Sequence, residues 1–347
     1  MKTIIKIEIA ILVLVLLVGG ALYAVSLGVL ELLHDPVIQE RTAAPIATDA
    51  PVEETLPEEV TVPEETLAQE VSSQETEEEP AAEPAEPRKL TAKKYFVYDV
   101  RDGVYLKKEG SETEKLYPAS ITKLLTSYVV LQHLQPDEIV VAGNALDLVP
   151  EDSSLANIRR GDKLTVEQLI AGMMLPSGND AAQIAAVAAG RKIAGDDSLS
   201  PSRAVAVFMD EMNAQAKALG MENSHFVTPD GFHQNNHYTT MDDLVLLCQK
   251  VLADPVILKY SSCATNSVDL STRTLKWENT NQLLHPEWEG YQSNAIGLKT
   301  GYTSAAGGCL VSAFFEEDRL LLIGVFGSIH YTDDRYLDTV DIYNSIK

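Results

Sequence analysis

The stretch Tyr117-Pro118-Ala119-Ser120-Ile121-Thr122-Lys123, continued by the apolar run from Leu124 to Leu131, decides how the rest of the chain is read. The pattern predicts a helix with Ser120 in its first turn. Lys123 lies three residues on and on the same face, so its amine reaches the hydroxyl. A serine hydroxyl is a poor nucleophile until a base takes its proton, and a lysine serves as that base when burial or a neighbouring cation keeps it neutral. A helix N-terminus adds a field that favours a developing oxyanion. Alone, S-x-x-K is a short pattern that a capping serine and a surface lysine also produce.

Two further groups lie downstream. Pro176-Ser177-Gly178-Asn179-Asp180 follows an apolar segment and opens an Ala-rich helix, which puts a hydroxyl and an amide on a tight turn. Gly297-Leu298-Lys299-Thr300-Gly301-Tyr302-Thr303 precedes Gly307-Gly308 and an apolar strand, and by itself reads as an edge strand ending in a glycine turn. Around these groups, Tyr95 to Val100, the turn pair Asp102-Gly103 and Val104 to Leu106 predict an opening β-hairpin. Helical periodicity covers Thr165 to Met174, Asn179 to Arg191, Ala204 to Leu219 and Met241 to Ala253. Strands return at Gly308 to Phe314 and Leu320 to Phe326, joined by a charged turn from Glu316 to Arg319, and a last helix is predicted from Arg335 to Ile346. Strands at both ends with helices between them predict an α/β (α+β) domain. Its antiparallel sheet is built from the two chain ends and flanked by helices, with a helical subdomain.

With Ser120/Lys123, Ser177-Gly178-Asn179 and Lys299-Thr300-Gly301 in this order, the chain resembles the serine D-Ala-D-Ala carboxypeptidases, the low-molecular-mass penicillin-binding proteins. The resemblance runs from Leu90 to the C-terminus. It includes Asn223-Ser224-His225-Phe226, Pro229-Asp230-Gly231, His237 to Leu244 and Asn279 to Leu284. It implies a β-lactamase/DD-peptidase-like fold, peptidoglycan stem peptides as substrates, β-lactams as acylating ligands and no cofactor. Ser120 would be the nucleophile and Lys123 the general base. Ser177 would relay a proton to the leaving D-alanine, helped by Lys299, while Asn179 would orient Lys123 and the substrate amide. The backbone amides of Ser120 and Tyr302 would form the oxyanion hole. Thr300 and Lys299, on the Gly301-bearing strand, would receive the terminal carboxylate. Two alternatives are a serine β-lactamase and a catalytically weak peptidoglycan-binding or regulatory module. The first needs fast deacylation, yet no glutamate stands in a recognisable class A loop, and Ser177-Gly178-Asn179 departs from the Ser-Asp-Asn usual there. Many family members carry an extra C-terminal β-rich domain; this sequence stops soon after its last helix, so attachment is expected at the N-terminus.

That N-terminus begins Met1, Lys2 and Lys6 and then runs from Ile9 to Leu30 without a charge. The run is longer than the roughly 7 to 15 apolar residues of a cleaved signal and matches the about 20 that span a bilayer. A retained transmembrane anchor over 1–34 is therefore expected, with cleavage near Ala21 to Ala24 as the alternative. The flanking lysines leave the N-terminus in the cytoplasm and place the rest outside, in a single-pass protein of the cell membrane. From 35 to 89, glutamate pairs with Pro, Thr and Ala and no aromatic residue predict a disordered acidic linker, and 90–347 forms the catalytic domain. The linker holds most of the excess behind a net charge of -24 in 347 residues. No basic surface is apparent, which argues against nucleic acid as a partner. No HExxH motif or cysteine–histidine spacing suggests a metal, and a monomer is expected. Of three cysteines, an odd number that leaves at least one unpaired, Cys309 reads as a buried thiol within a strand, while a disulfide between Cys248 and Cys263 is an open alternative that nothing in the sequence supports. His237 is expected to be structural. Arg335 reads either as an exposed helix-start residue or as a carboxylate ligand, and Trp277 and Trp288 as packing residues.

Overall fold

A computed structural model of the chain describes residues 88–316, 318–329 and 334–347. The expected anchor at 1–34 and nearly all of the expected linker lie outside the described residues. Among the described residues, no helix is long and apolar enough to cross a membrane.

Strands β1 (Lys94–Asp99) and β2 (Val104–Glu109) form the opening hairpin. A 3-10 turn at Ala119–Ile121 runs straight into helix α1 (Thr122–His133). Strands β3 (Ile139–Val141) and β4 (Lys163–Thr165) pair with each other, and helices α2 (Val166–Met174), α3 (Asn179–Ala194), α4 (Pro201–Ala218), α5 (Met241–Leu252) and α6 (Pro255–Ser262) follow. A second small hairpin, β5 (Thr265–Asp269) with β6 (Thr274–Glu278), leads to the long strands β7 (Ala295–Thr303), β8 (Gly307–Glu316) and β9 (Arg319–Ser328), and helix α7 (Asp334–Asn344) ends the chain. The main sheet has the order β2-β1-β9-β8-β7, all pairs antiparallel, so both chain ends build it as expected.

The two-residue period of the strands sorts side chains between two cores. Cys309, Val311 and Ala313 of β8, with Leu320, Leu322 and Phe326 of β9, join the large helical core. Leu310, Phe314, Leu321, Ile323 and Val325 face the other way, onto Tyr336, Ile342 and Tyr343 of α7. Helix α1 is the pivot of the helical core: Leu124, Leu125, Val129 and Val130 are all fully buried. Burying each such side chain contributes about 1.5–3 kcal/mol. Alanines of α3 let α4 approach closely; a Cβ on Gly190 would stand 2.0 Å from the Ala204 carbonyl oxygen.

Two findings differ from the sequence-based expectation, and a third closes a reading that the sequence left open. The hairpins β3-β4 and β5-β6 and helix α6 were not anticipated. Strands of three to five residues carry too little alternation to announce themselves, although Asp254 capping α6 ahead of Pro255 is a legible start signal. Ser120 sits in the 3-10 turn and not in the first α-helical turn. All three cysteines are free thiols, so Cys248 and Cys263 form no disulfide. Burial in the core pushes the Cys248 thiol up and raises Cys309 to about 11, which makes both unreactive.

Candidate active site

The 3-10 turn carries Ser120 to one wall of a cleft of about 620 Å³. Ala119 has φ +47°, a left-handed conformation that a non-glycine residue adopts only when its surroundings hold it there. Those surroundings are two glycines. Gly301 of β7 lies against the turn, where a Cβ would stand 3.1 Å from the Ser120 nitrogen and 2.9 Å from the Pro118 oxygen. Gly231, at φ +80°, closes on the Ala119 carbonyl from the other side.

One turn further, Lys123 is fully buried, and its Nζ lies 2.8 Å from each of three oxygens: Ser120 Oγ, Asn179 Oδ1 and the Asp230 carbonyl. As an ammonium, Lys123 donates to all three. As a neutral amine it donates to Asn179 and Asp230, and its lone pair then faces the Ser120 proton. The same geometry therefore serves both protonation states. Burial lowers the Lys123 pKa to about 8, against the opposing pull of Asp230 and Asp180. Of the two causes that could keep such a lysine neutral, burial and a neighbouring cation, burial is the one that acts on Lys123. It is Lys299 whose pKa is held well below its usual value, by burial first and then by Lys123 and Arg335.

Ser177 and Asn179 reach the cleft because the turn before α3 is tightly stapled. Ser177 adopts φ +60°, and Gly178 leaves no space for a side chain, with Asp180 Oδ1 2.6 Å and Ala156 Cβ 2.7 Å from where a Cβ would be. Asp180 accepts from the amides of Ala156 (2.8 Å) and Ile158 (3.0 Å), and Asn179 donates through Nδ2 to Ser153 Oγ at 3.0 Å. On the opposite wall, Lys299 Nζ donates to the Thr300 carbonyl at 3.2 Å, and the Thr280 and Thr300 hydroxyls are 2.6 Å apart. Arg335 is buried and lines the cleft, donating through Nη1 to the Gly301 carbonyl at 2.8 Å, so the exposed reading of this residue is corrected. Tyr302 forms part of the rim, with Phe232 and His233.

The structure thus brings together every residue to which the resemblance gave a catalytic or substrate-binding role: Ser120, Ser177, Asn179, Thr300, Gly301 and Tyr302 line the cleft, and Lys123 and Lys299 are buried close by. Sequence reasoning missed Ser153, Thr280 and the backbone carbonyl of Asp230. A main-chain acceptor leaves no residue-type signal, and the only hint was the Pro229-Asp230-Gly231 stretch. Among the described residues, no group of three or more His, Cys, Asp or Glu side chains is arranged to hold a metal ion.

His237 is structural, as expected. Its Nδ1 accepts from the amides of Val227 (3.2 Å) and Thr228 (3.4 Å), which leaves Nε2–H to donate to Thr122 Oγ1 at 2.8 Å and pins the 227–231 segment to α1. Burial lowers its pKa from 6.5 to about 4. The unfolded chain therefore binds a proton before the folded one does, so stability is complete above pH 6.5 and falls as pH drops towards 4. The expected loss over that window is about 3 kcal/mol. Urea unfolding at pH 7 and pH 4 checks it: this part of the slope disappears in His237→Asn, and an identical slope in that variant refutes the assignment.

Fold and cleft together place the chain among the serine–lysine peptidase folds. Residues 79–329 match the D-alanyl-D-alanine carboxypeptidase family, Peptidase_S11, and the chain belongs to it. D-alanyl-D-alanine carboxypeptidase DacA of Escherichia coli (strain K12) is 31% identical over 253 residues, which are 69% of this chain and 56% of that protein. DacF of Bacillus subtilis (strain 168) is 27% identical over 226 residues, 63% of this chain and 53% of the relative. The chain thus spans little more than half the length of these relatives. Among solved structures, the Streptomyces K15 DD-transpeptidase aligns with TM-score 0.66 at 28% identity, covering 75% of this chain and 98% of that one. Penicillin-binding protein D2 of Listeria monocytogenes, in a cefotaxime-bound form, aligns with TM-score 0.60 at 27% identity over 75% and 98% of the two chains.

Proposed function

We propose that this protein is a serine-type D-Ala-D-Ala carboxypeptidase that trims peptidoglycan stem peptides through a Ser120 acyl-enzyme and is itself acylated by β-lactams. The observation that carries the reading is the buried Lys123 Nζ, held 2.8 Å from Ser120 Oγ by two fixed acceptors.

Ser120 Oγ attacks the carbonyl carbon between the two D-alanines as its proton passes to Lys123. The amides of Ser120 and Tyr302 receive the oxyanion; the close approach of Gly301 to the Ser120 nitrogen supports this pairing. The C–N bond then breaks, and the leaving amine takes a proton through Ser177. Water attacks the resulting ester and releases the shortened peptide. Thr300 and Arg335 line a wall suited to the terminal carboxylate, with Lys299 donating to the Thr300 carbonyl and Thr280 orienting the Thr300 hydroxyl. The apolar run from Ile9 to Leu30 tethers the domain to the cell membrane and the acidic segment gives it reach outside the cytoplasm, a placement supported by the composition of both segments.

The test uses the full chain in detergent with a peptide ending in Lys-D-Ala-D-Ala, beside Ser120→Ala. Free D-alanine from the parent and none from the variant is the expected result. Rapid β-lactam hydrolysis without D-alanine release would instead identify a β-lactamase.

A further inference from the structure

Asp230 is only 1% exposed, and the catalytic scheme above uses its backbone but not its carboxylate. Both carboxylate oxygens have neutral partners: Oδ1 accepts from the Phe232 amide at 2.8 Å and Oδ2 from Gln183 Nε2 at 2.9 Å. A buried charge with only neutral partners is costly unless an opposite charge lies near it. That charge is Lys123, which donates to the carbonyl of this same residue and feels its carboxylate as the strongest of its charged neighbours. Asp180 also acts on Lys123, but three backbone amides, those of Ala156, Ile158 and Ala181, already engage its oxygens.

Moving the Ser120 proton onto Lys123 creates an ammonium at a fully buried position, with the buried side chain of Lys299 near it and Arg335 near Lys299. We propose that the Asp230 carboxylate is the resident counter-charge for this ammonium, a positioning residue that acts through Lys123, and that Gln183 on α3 holds it in place. The inference rests on the assignment of Ser120 and Lys123 as nucleophile and base, and deepens it.

Asp230→Asn removes the charge and preserves the shape. Gln183 Oε1 is buried without a partner, so a flip of the Gln183 amide lets it accept from the new side-chain amide, while Oδ1 keeps the Phe232 contact. The other charged or titrating groups in range stay in place: Asp180 and Lys299 around Lys123, Arg335 beside Lys299, and His237 beside Asp230, with His225 and His233 acting on His237.

The full chain is labelled with 13C-lysine and its Lys123 signal, identified by its loss in Lys123→Met, is titrated by NMR without substrate. The midpoint is expected to fall by roughly one pH unit or more in Asp230→Asn. The rising limb of the pH profile for acylation by a fluorescent penicillin moves down with it, and the plateau rate drops about tenfold or more. A variant that only loosened the fold would lower the rate without moving the midpoint. If circular dichroism shows Asp230→Asn unfolded, Asp230→Ser carries the same two expectations. A parent that is acylated, with a charge-removing variant that titrates as the parent does, overturns the counter-charge. A parent that neither releases D-alanine nor takes up penicillin overturns the assignment of Ser120, and the inference with it.

Discussion

Lys123→Met is expected to slow acylation of Ser120 by about a thousandfold, within the range that a positioned general base contributes. Methionine matches the length of the lysine stem and fills the same fully buried channel. It relieves the cost of burying an amine but leaves Asn179 Oδ1 and the Asp230 carbonyl without their donor and the buried Asp230 carboxylate without its opposite charge, so a destabilisation of about 3 kcal/mol is expected. Acylation is therefore compared at a temperature where the melt shows both proteins folded, so that the rate loss is not explained by unfolding. Stopped-flow acylation by a fluorescent penicillin, with a thermal melt in parallel, measures both. A loss below tenfold with both proteins folded would mean that another group activates Ser120. In the parent, the acylation rate rises with pH through about 8, as Lys123 gives up its proton and becomes able to accept that of Ser120.

Gly231→Ala is the second large effect, and it arises from shape and not from chemistry. A Cβ there would stand 1.9 Å from the Ala119 carbonyl oxygen and 2.9 Å from Thr122 Oγ1, at φ +80°. Neither neighbour can swing aside: one is main chain, and the other is held by His237. Relief requires the 3-10 turn to move, and a displacement of about 1 Å at a nucleophile costs on the order of a hundredfold in rate. A destabilisation of about 3 kcal/mol should accompany it, from backbone strain and the clash together. Gly161→Ala is the control, since Gly161 has φ +91° but open space around it. It carries the strain of a left-handed alanine, about 1 kcal/mol, and no clash. If the two variants have equal melting temperatures and acylation rates, the close approach at Gly231 has no functional consequence.

How much of this was legible in the sequence depends on the range of the interaction. The helices over Thr165 to Met174 and Met241 to Ala253 were readable because a single turn of side chains records which face is buried. Strands β8 and β9 were readable as apolar runs because both of their faces are covered, one by the helical core and one by α7. Arg335 was ambiguous because its burial depends on Gly301, thirty-four positions away in sequence. Ser153 gave no signal at all, since its bond to Asn179 joins a loop to a helix start through a contact that neither segment encodes alone.

By itself, the sequence determined the chemical inventory: a serine and a lysine one turn apart, a hydroxyl and an amide ahead of an Ala-rich helix, and a lysine–threonine–glycine strand. Local spacing and residue type carry that information, and neither depends on the rest of the fold. The tertiary structure alone decided the strength of the base. Lys123 has a pKa of about 8 because α1 is enclosed on every side, and its direction is set by a main-chain carbonyl delivered from residue 230. Desolvation and field are sums over everything within several ångströms, and those neighbours become neighbours only once the chain has closed around them.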